Sequence, residues 1–143
     1  MRVLFTTQPT SGHFHPLVPL ASALRDAGHE VAFVTSAFYC ATVRNAGFTC
    51  FPAGFDLGAY WSEASVEAAF PEYAQQPQGL DRMRWIGANV FAGVMLEHMI
   101  PELLAIASDW HPDVLVREPI EFAACIVGEA LDIPYATAGW PFF

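Results

Sequence analysis

The sequence predicts an α/β fold with a mainly parallel sheet wound with helices on both faces. Three observations predict it. The runs Val3-Leu4-Phe5-Thr6 and Val31-Ala32-Phe33-Val34 are continuous rather than alternating. Such runs suit strands buried on both faces. Between them, Leu17, Leu20, Ala21 and Leu24 fall at helical spacing, and Gly28 stands where a helix stops. Strand, helix and strand within roughly 35 residues form a βαβ unit, expected to be right-handed.

The same alternation continues along the chain. Phe38 to Ala46 reads as a helix ending at Gly47, and Phe48 to Phe51 as a third strand. From Pro52 to Leu80 the pattern dissolves into glycines, prolines and scattered aromatics. Arg82 to Ser108 reads as helical, kinked or split at Pro101. Asp113 to Arg117 reads as a fourth strand, Glu121 to Leu131 as a helix, and Ile133 to Thr137 as a fifth strand. The whole is a Rossmann-like, doubly wound arrangement. Ligands of such sheets bind beyond the carboxyl ends of the strands. That points to three segments: Gln8 to Pro16, Arg117 to Glu121 and Ala138 to Phe143.

Composition bounds the partners. The chain has 143 residues, enough for one domain with a core, and 54% of them are hydrophobic. Its mean hydropathy of +0.33 is high for a small soluble protein. Six basic against fifteen acidic residues give a net charge of −9. This surface repels phosphate backbones and anionic lipid, so neither nucleic acid nor a membrane surface is an expected partner. Cys40, Cys50 and Cys125 form no Cys-x-x-Cys pair and read as three buried thiols in a reducing compartment. The apolar run of MRVLFTTQP is too short for a signal peptide. Asn89, Glu97, His98, Pro101 and Glu102 interrupt the stretch from Trp85 to Ala107, so no transmembrane helix is expected and the location is cytoplasmic.

Chemistry concentrates in TTQPTSGHFHPLVPL, which carries His13 and His15 where the first strand hands over to the first helix. A dinucleotide site would need Gly-x-Gly-x-x-Gly there and an acid after the second strand. The loop offers only Gly12, and the second strand ends in Thr35-Ser36. His13-Phe14-His15 resembles the His-x-His of barrel metallohydrolases. His29 and His111 lie at the wrong end of the sheet, however, His98 sits in the long helix, and a barrel needs about 250 residues. No metal site is therefore expected. One histidine on this loop could instead act as a general base, with Gly12 allowing close approach of a ligand. Such a base needs a carboxylate behind it, and Glu118 is placed for that, with Glu121 competing. The alternative is that His13 and His15 only cap a turn and the acids serve the following helix. The residues alone leave both readings open.

SGHFHPLVPLASALRDAGHEVAFVTS is similar to the N-terminal signature of family 1 glycosyltransferases, and PDVLVREPIEFAACIVGEALDIP to a later segment of that family. The family transfers sugars from nucleotide-sugars to small hydrophobic acceptors, among them macrolides, enediynes and other actinomycete natural products. The resemblance implies the N-terminal half of a GT-B architecture. Residues 1–143 would be a single, incomplete acceptor-binding domain, with the nucleotide-sugar domain absent. It implies an inverting, metal-independent reaction with no cofactor, the nucleotide-sugar being a co-substrate. The family's base matches His13. Its supporting acid, usually aspartate, matches Glu118, one methylene longer. His15 matches no role and reads as structural. Gly12, Phe14 and, more weakly, Thr137 become candidate binding residues. Aromatics between Phe55 and Phe91, with Trp61 and Trp85 foremost, become candidate walls of an acceptor cleft, although core packing under a long loop explains most of them better. A homodimer is compatible. Two other classes remain open, a binding module without chemistry and an idle partner domain.

Overall fold

The computed structural model describes residues 1–56 and 63–139. Five parallel strands form one sheet: β1 (Arg2–Thr6), β2 (Glu30–Thr35), β3 (Thr49–Pro52), β4 (Val114–Arg117) and β5 (Tyr135–Thr137). Their order is β3-β2-β1-β4-β5. The chain moves outward from β1 through β2 and β3, then returns to pair β4 with the other side of β1. Strand order therefore reverses between β1 and β4, where an open α/β sheet leaves a crevice at its carboxyl edge.

The continuous apolar runs are explained by a core on each face. Val3, Phe5 and Phe33 face one way, with Phe14, Leu17 and Val43. Leu4, Ala32 and Val34 face the other, with Met99, Leu103, Leu115 and Val127. The first face is covered by α1 (Ser11–Phe14), α2 (Val18–Asp26) and α3 (Cys40–Asn45), and the second by α6 (Met95–Trp110) and α7 (Ala123–Leu131). Gly28 and Gly47 end their helices at φ 87° and 85°, a region in which a side chain would strain the backbone.

Four expectations are corrected. Pro52 to Leu80 is not featureless, because α4 (Glu63–Ala69) and a 3-10 turn (Pro71–Gln75) form there. The run EASVEAA is rich in helix formers and buries Val66. The long helical run is not broken at Pro101, which sits inside α6. It is disturbed upstream, where α5 (Leu80–Ile86) passes into a π-helical segment (Gly87–Val94) with Gly93 at φ −107°, ψ −110°. Glycine adopts such angles without a Cβ clash, so the irregularity settles there. Its polar interruptions also do not stop this run from being one helix of 31 residues, Leu80–Trp110, long and apolar enough by length and composition to cross a membrane. Its Met95, Met99, Leu103 and Ala107 pack into the core, while Leu80 and Met83 stand exposed. Finally, Cys40 and Cys50 are not thiols but a disulfide, their Cα atoms 5.5 Å apart. Because α3 leads directly into β3, the helix start faces the strand. Cys125 alone is free, and it is only partly buried.

Gly128 of α7 shows how tightly β5 is seated. A Cβ there would lie 2.8 Å from the Tyr135 ring and 2.9 Å from the Ile133 carbonyl. Gly128→Ala should therefore destabilise the fold by about 1–3 kcal/mol. Gly87→Ala, with helical φ/ψ and nothing within 4 Å, should stabilise it by up to about 1 kcal/mol. Urea midpoints that move the same way in both variants would contradict this packing.

Candidate active site

The site is built from the loops that leave β1 and β4. Thr6 pairs with Arg117, and the Glu118 amide donates to the Thr6 carbonyl at 3.2 Å, so the two strands end level. After β1 the chain bends at Pro9 and Thr10, where the Thr10 amide donates to the Gln8 carbonyl at 2.9 Å, and the Thr10 carbonyl accepts the amides of His13 and Phe14 at 3.1 and 3.0 Å. This starts α1 and turns His13 toward β4. Phe14 points the opposite way. Fully buried, it packs edge-on against Phe33 and Tyr39, with ring centroids 5.2 and 5.9 Å apart. Phe14 thus anchors the short helix in the core, which removes it from the candidate binding residues. The Tyr39 hydroxyl and Ser11 Oγ, 3.3 Å apart, tie the start of the same helix.

His13 Nδ1 lies 3.1 Å from Glu118 Oε2. The Glu118 side chain is fully buried and that of His13 is 18% exposed, so the imidazole is the reachable member. Oε2 also accepts the Ile120 amide at 2.9 Å. The longer glutamate is accommodated by folding its carboxylate back over its own loop, still facing His13. Glu118 Oε1 is buried with no hydrogen-bond partner among the described residues.

Glu121 does different work. It accepts the Ala123 amide at 2.7 Å, the Ala124 amide at 3.3 Å and the Thr6 hydroxyl. It therefore caps the buried amide donors at the start of α7, which have no partner within the helix, and ties them to β1. Burial pushes its carboxyl above the ordinary glutamate range, against the lowering effect of these donors, and nearby Glu118 adds to the rise.

A narrow hollow opens at the same edge of the sheet, next to Glu121. Phe55, Phe91, Met95 and Met99 form apolar walls, and Ser36 and Glu121 add polar groups. A second hollow, lined by Thr10 and His13, shares Gln8, Pro9 and Phe91 with it, so the two lie on either side of those residues. Ser36 Oγ is buried without a hydrogen-bond partner among the described residues. Ser36 and Phe55 follow β2 and β3, whose carboxyl ends were left out of the three segments picked from the sequence, although the same edge rule covers them.

The other candidates lie apart. Gly12 is exposed, with open space around it. Thr137 is exposed on the edge strand β5, level with Arg117. Trp85 packs on Phe70 and Tyr73, with centroids 6.2 and 6.0 Å away, rather than in either hollow. Trp61 lies outside the described residues. His15 is exposed, its ring 5.4 Å from that of Phe14. Among the described residues no group of three or more His, Cys, Asp or Glu gathers as a metal site.

Residues 22–142 match the family model for the N-terminal domain of erythromycin biosynthesis protein CIII-like proteins. The chain is 30% identical to aklavinone 7-beta-L-rhodosaminyltransferase of Streptomyces galilaeus, over 95% of this chain and 34% of that one. It is 31% identical to erythronolide mycarosyltransferase of Saccharopolyspora erythraea, over 98% of this chain and 37% of that one. The chain thus spans about a third of the length of these relatives. Among solved structures, the Streptomyces sp. SF2575 glycosyltransferase SsfS6 superposes with a TM-score of 0.76 at 27% identity, over 96% of this chain and 38% of that one. The fold is that of the N-terminal portion of a GT-B glycosyltransferase.

Glu121 makes a pH prediction. Its raised folded-state pKa means that the native state binds the proton more tightly than the unfolded chain. Its contribution to stability is complete below about pH 4.5, the ordinary value, and is lost as pH rises through the folded pKa. Glu121→Gln mimics the neutral form and should flatten that decline in urea-melt stability measured against pH. A variant whose stability falls as steeply as the wild type would show that Glu121 does not hold its proton in the fold.

Proposed function

The chain belongs to the erythromycin biosynthesis protein CIII-like N-terminal domain family, and from that premise we propose that it is the acceptor-binding part of an inverting glycosyltransferase of natural-product biosynthesis. Residues 1–143 would hold the acceptor, and a nucleotide-sugar domain would supply the donor. The observation that carries the reading is the 3.1 Å approach of His13 Nδ1 to the buried Glu118 carboxylate, at the switch point, with His13 lining a hollow.

The chemistry follows from the two ring nitrogens. With its proton assigned to Nδ1, the nitrogen 3.1 Å from Glu118 Oε2, neutral His13 keeps its lone pair on Nε2. Nε2 takes the proton of an acceptor hydroxyl as that oxygen attacks the anomeric carbon of the donor. A new C–O bond forms on one face. On the other, the bond to the diphosphate breaks, and its electron pair leaves with the nucleoside diphosphate. The imidazolium is stabilised by a carboxylate that water cannot screen. Phe55, Phe91 and Met99 offer an apolar wall against which the body of an apolar acceptor can lie. Two named relatives fit this class, acting by name on aklavinone and an erythronolide. SsfS6 has been solved with thymidine diphosphate, which supports a nucleotide-sugar donor.

The test is turnover in a protein that carries the nucleotide-sugar domain as well. His13→Ala should lower sugar transfer by roughly 10²–10⁴-fold, the usual contribution of a general base. Glu118→Gln should cost less, because the imidazole survives without its charge partner. His15→Ala should leave turnover largely intact. A well-folded His15→Ala without activity, beside an active His13→Ala, would reverse the assignment.

A further inference from the structure

Arg117 is the last residue of β4, and the proposed mechanism does not use it. Its stem is fixed in the sheet, level with Thr6 of β1 and Thr137 of β5. Its own carbonyl accepts the Ala138 amide at 2.8 Å. From that anchor Nη1 reaches over the following loop. It donates to the carbonyls of Glu118, Pro119 and Glu121 at 3.3, 3.0 and 2.8 Å. The guanidinium carbon sits 5.6 Å from the centre of the Phe122 ring.

The middle contact matters most. The Pro119 carbonyl and the Ile120 amide belong to one planar peptide group. Arg117 holds the oxygen of that plane at 3.0 Å, and its nitrogen holds Glu118 Oε2 at 2.9 Å. Oε2 in turn faces His13 Nδ1 at 3.1 Å. We infer that Arg117 is a positioning residue: through the Pro119–Ile120 peptide it sets the direction in which the Glu118 carboxylate meets His13. A cationic donor on the oxygen of a peptide also polarises its N–H, which strengthens the bond to the carboxylate. The clamp acts through Glu118, so the inference rests on the reading of His13 and Glu118 as a pair.

Arg117→Met keeps an alkyl stem and removes the donors. In the 143-residue chain, two signals report on the relay. Hydrogen exchange reads the Ile120 amide, and long-range nitrogen–proton correlation spectra read which ring nitrogen of neutral His13 carries the proton. Arg117→Met should speed Ile120 exchange and move the His13 tautomer ratio from Nδ1–H toward Nε2–H, each by about tenfold or more. Arg117→Lys should restore both in part. If a folded Arg117→Met keeps both signals at their wild-type values, the inference is overturned. If it does not fold, Arg117→Gln is read in the same way. If neither variant folds, Arg117 serves the fold rather than the pair, which also overturns it. Glu118→Leu separates the two levels. An unchanged His13 ratio in that variant would remove the pair itself, while Ile120 exchange in Arg117→Met still reports whether the clamp exists.

Discussion

Parallel pairing of β1 with β4 is the constraint from which the site follows. The two strands are more than a hundred residues apart in sequence, yet Thr6 and Arg117 lie in register and end at one level. Two loops are thereby forced to leave the sheet side by side, one into α1 and one into α7. The Thr6 carbonyl receives the Glu118 amide and the Thr6 hydroxyl reaches Glu121, so the end of one strand organises both acids of the other loop. A different neighbour for β1 would leave His13 and Glu118 on separate parts of the edge.

Two buried carboxylates three residues apart are costly unless each finds donors. The loop resolves this by giving them different environments. Glu121 is surrounded by the Thr6 hydroxyl and two helix-start amides, and holds its proton more tightly than an ordinary glutamate. Glu118 has one amide and the imidazole. One acid closes a helix end, and the other is free to answer the charge of a histidine. The core carries the same logic outward. Phe14, next in sequence to His13, is driven into the aromatic cluster on the first face of the sheet, and that burial aims His13 at the edge.

The sheet was legible because strands buried on both faces must be apolar along their length, and Val3–Phe5 and Val31–Val34 are. The proximity of His13 and Glu118 was legible for the same reason, since the turn residues mark where those strands stop. What escaped depends on three-dimensional closeness that spacing does not encode. Phe14 looks like part of a polar loop until Leu17 and Ala21 are seen to continue its face at helical intervals. Cys40 and Cys50 look unrelated until α3 folds back on β3. Pro101 is the obvious breaker by chemistry, but Gly93 yields more readily. Ser36, Phe55 and Met99 reach one hollow from three separate segments, and Arg117 reaches its carbonyls only because the loop curls back over it.

The central claim is that His13, oriented by Glu118, presents Nε2 to the hydroxyl that receives the sugar. A crystal structure of the protein with its acceptor bound tests this most directly. The reacting hydroxyl should lie within about 2.6–3.2 Å of His13 Nε2, with the apolar body of the acceptor along Phe55, Phe91 and Met99. An acceptor seated with that hydroxyl against another side chain, and Nε2 facing solvent, would contradict it.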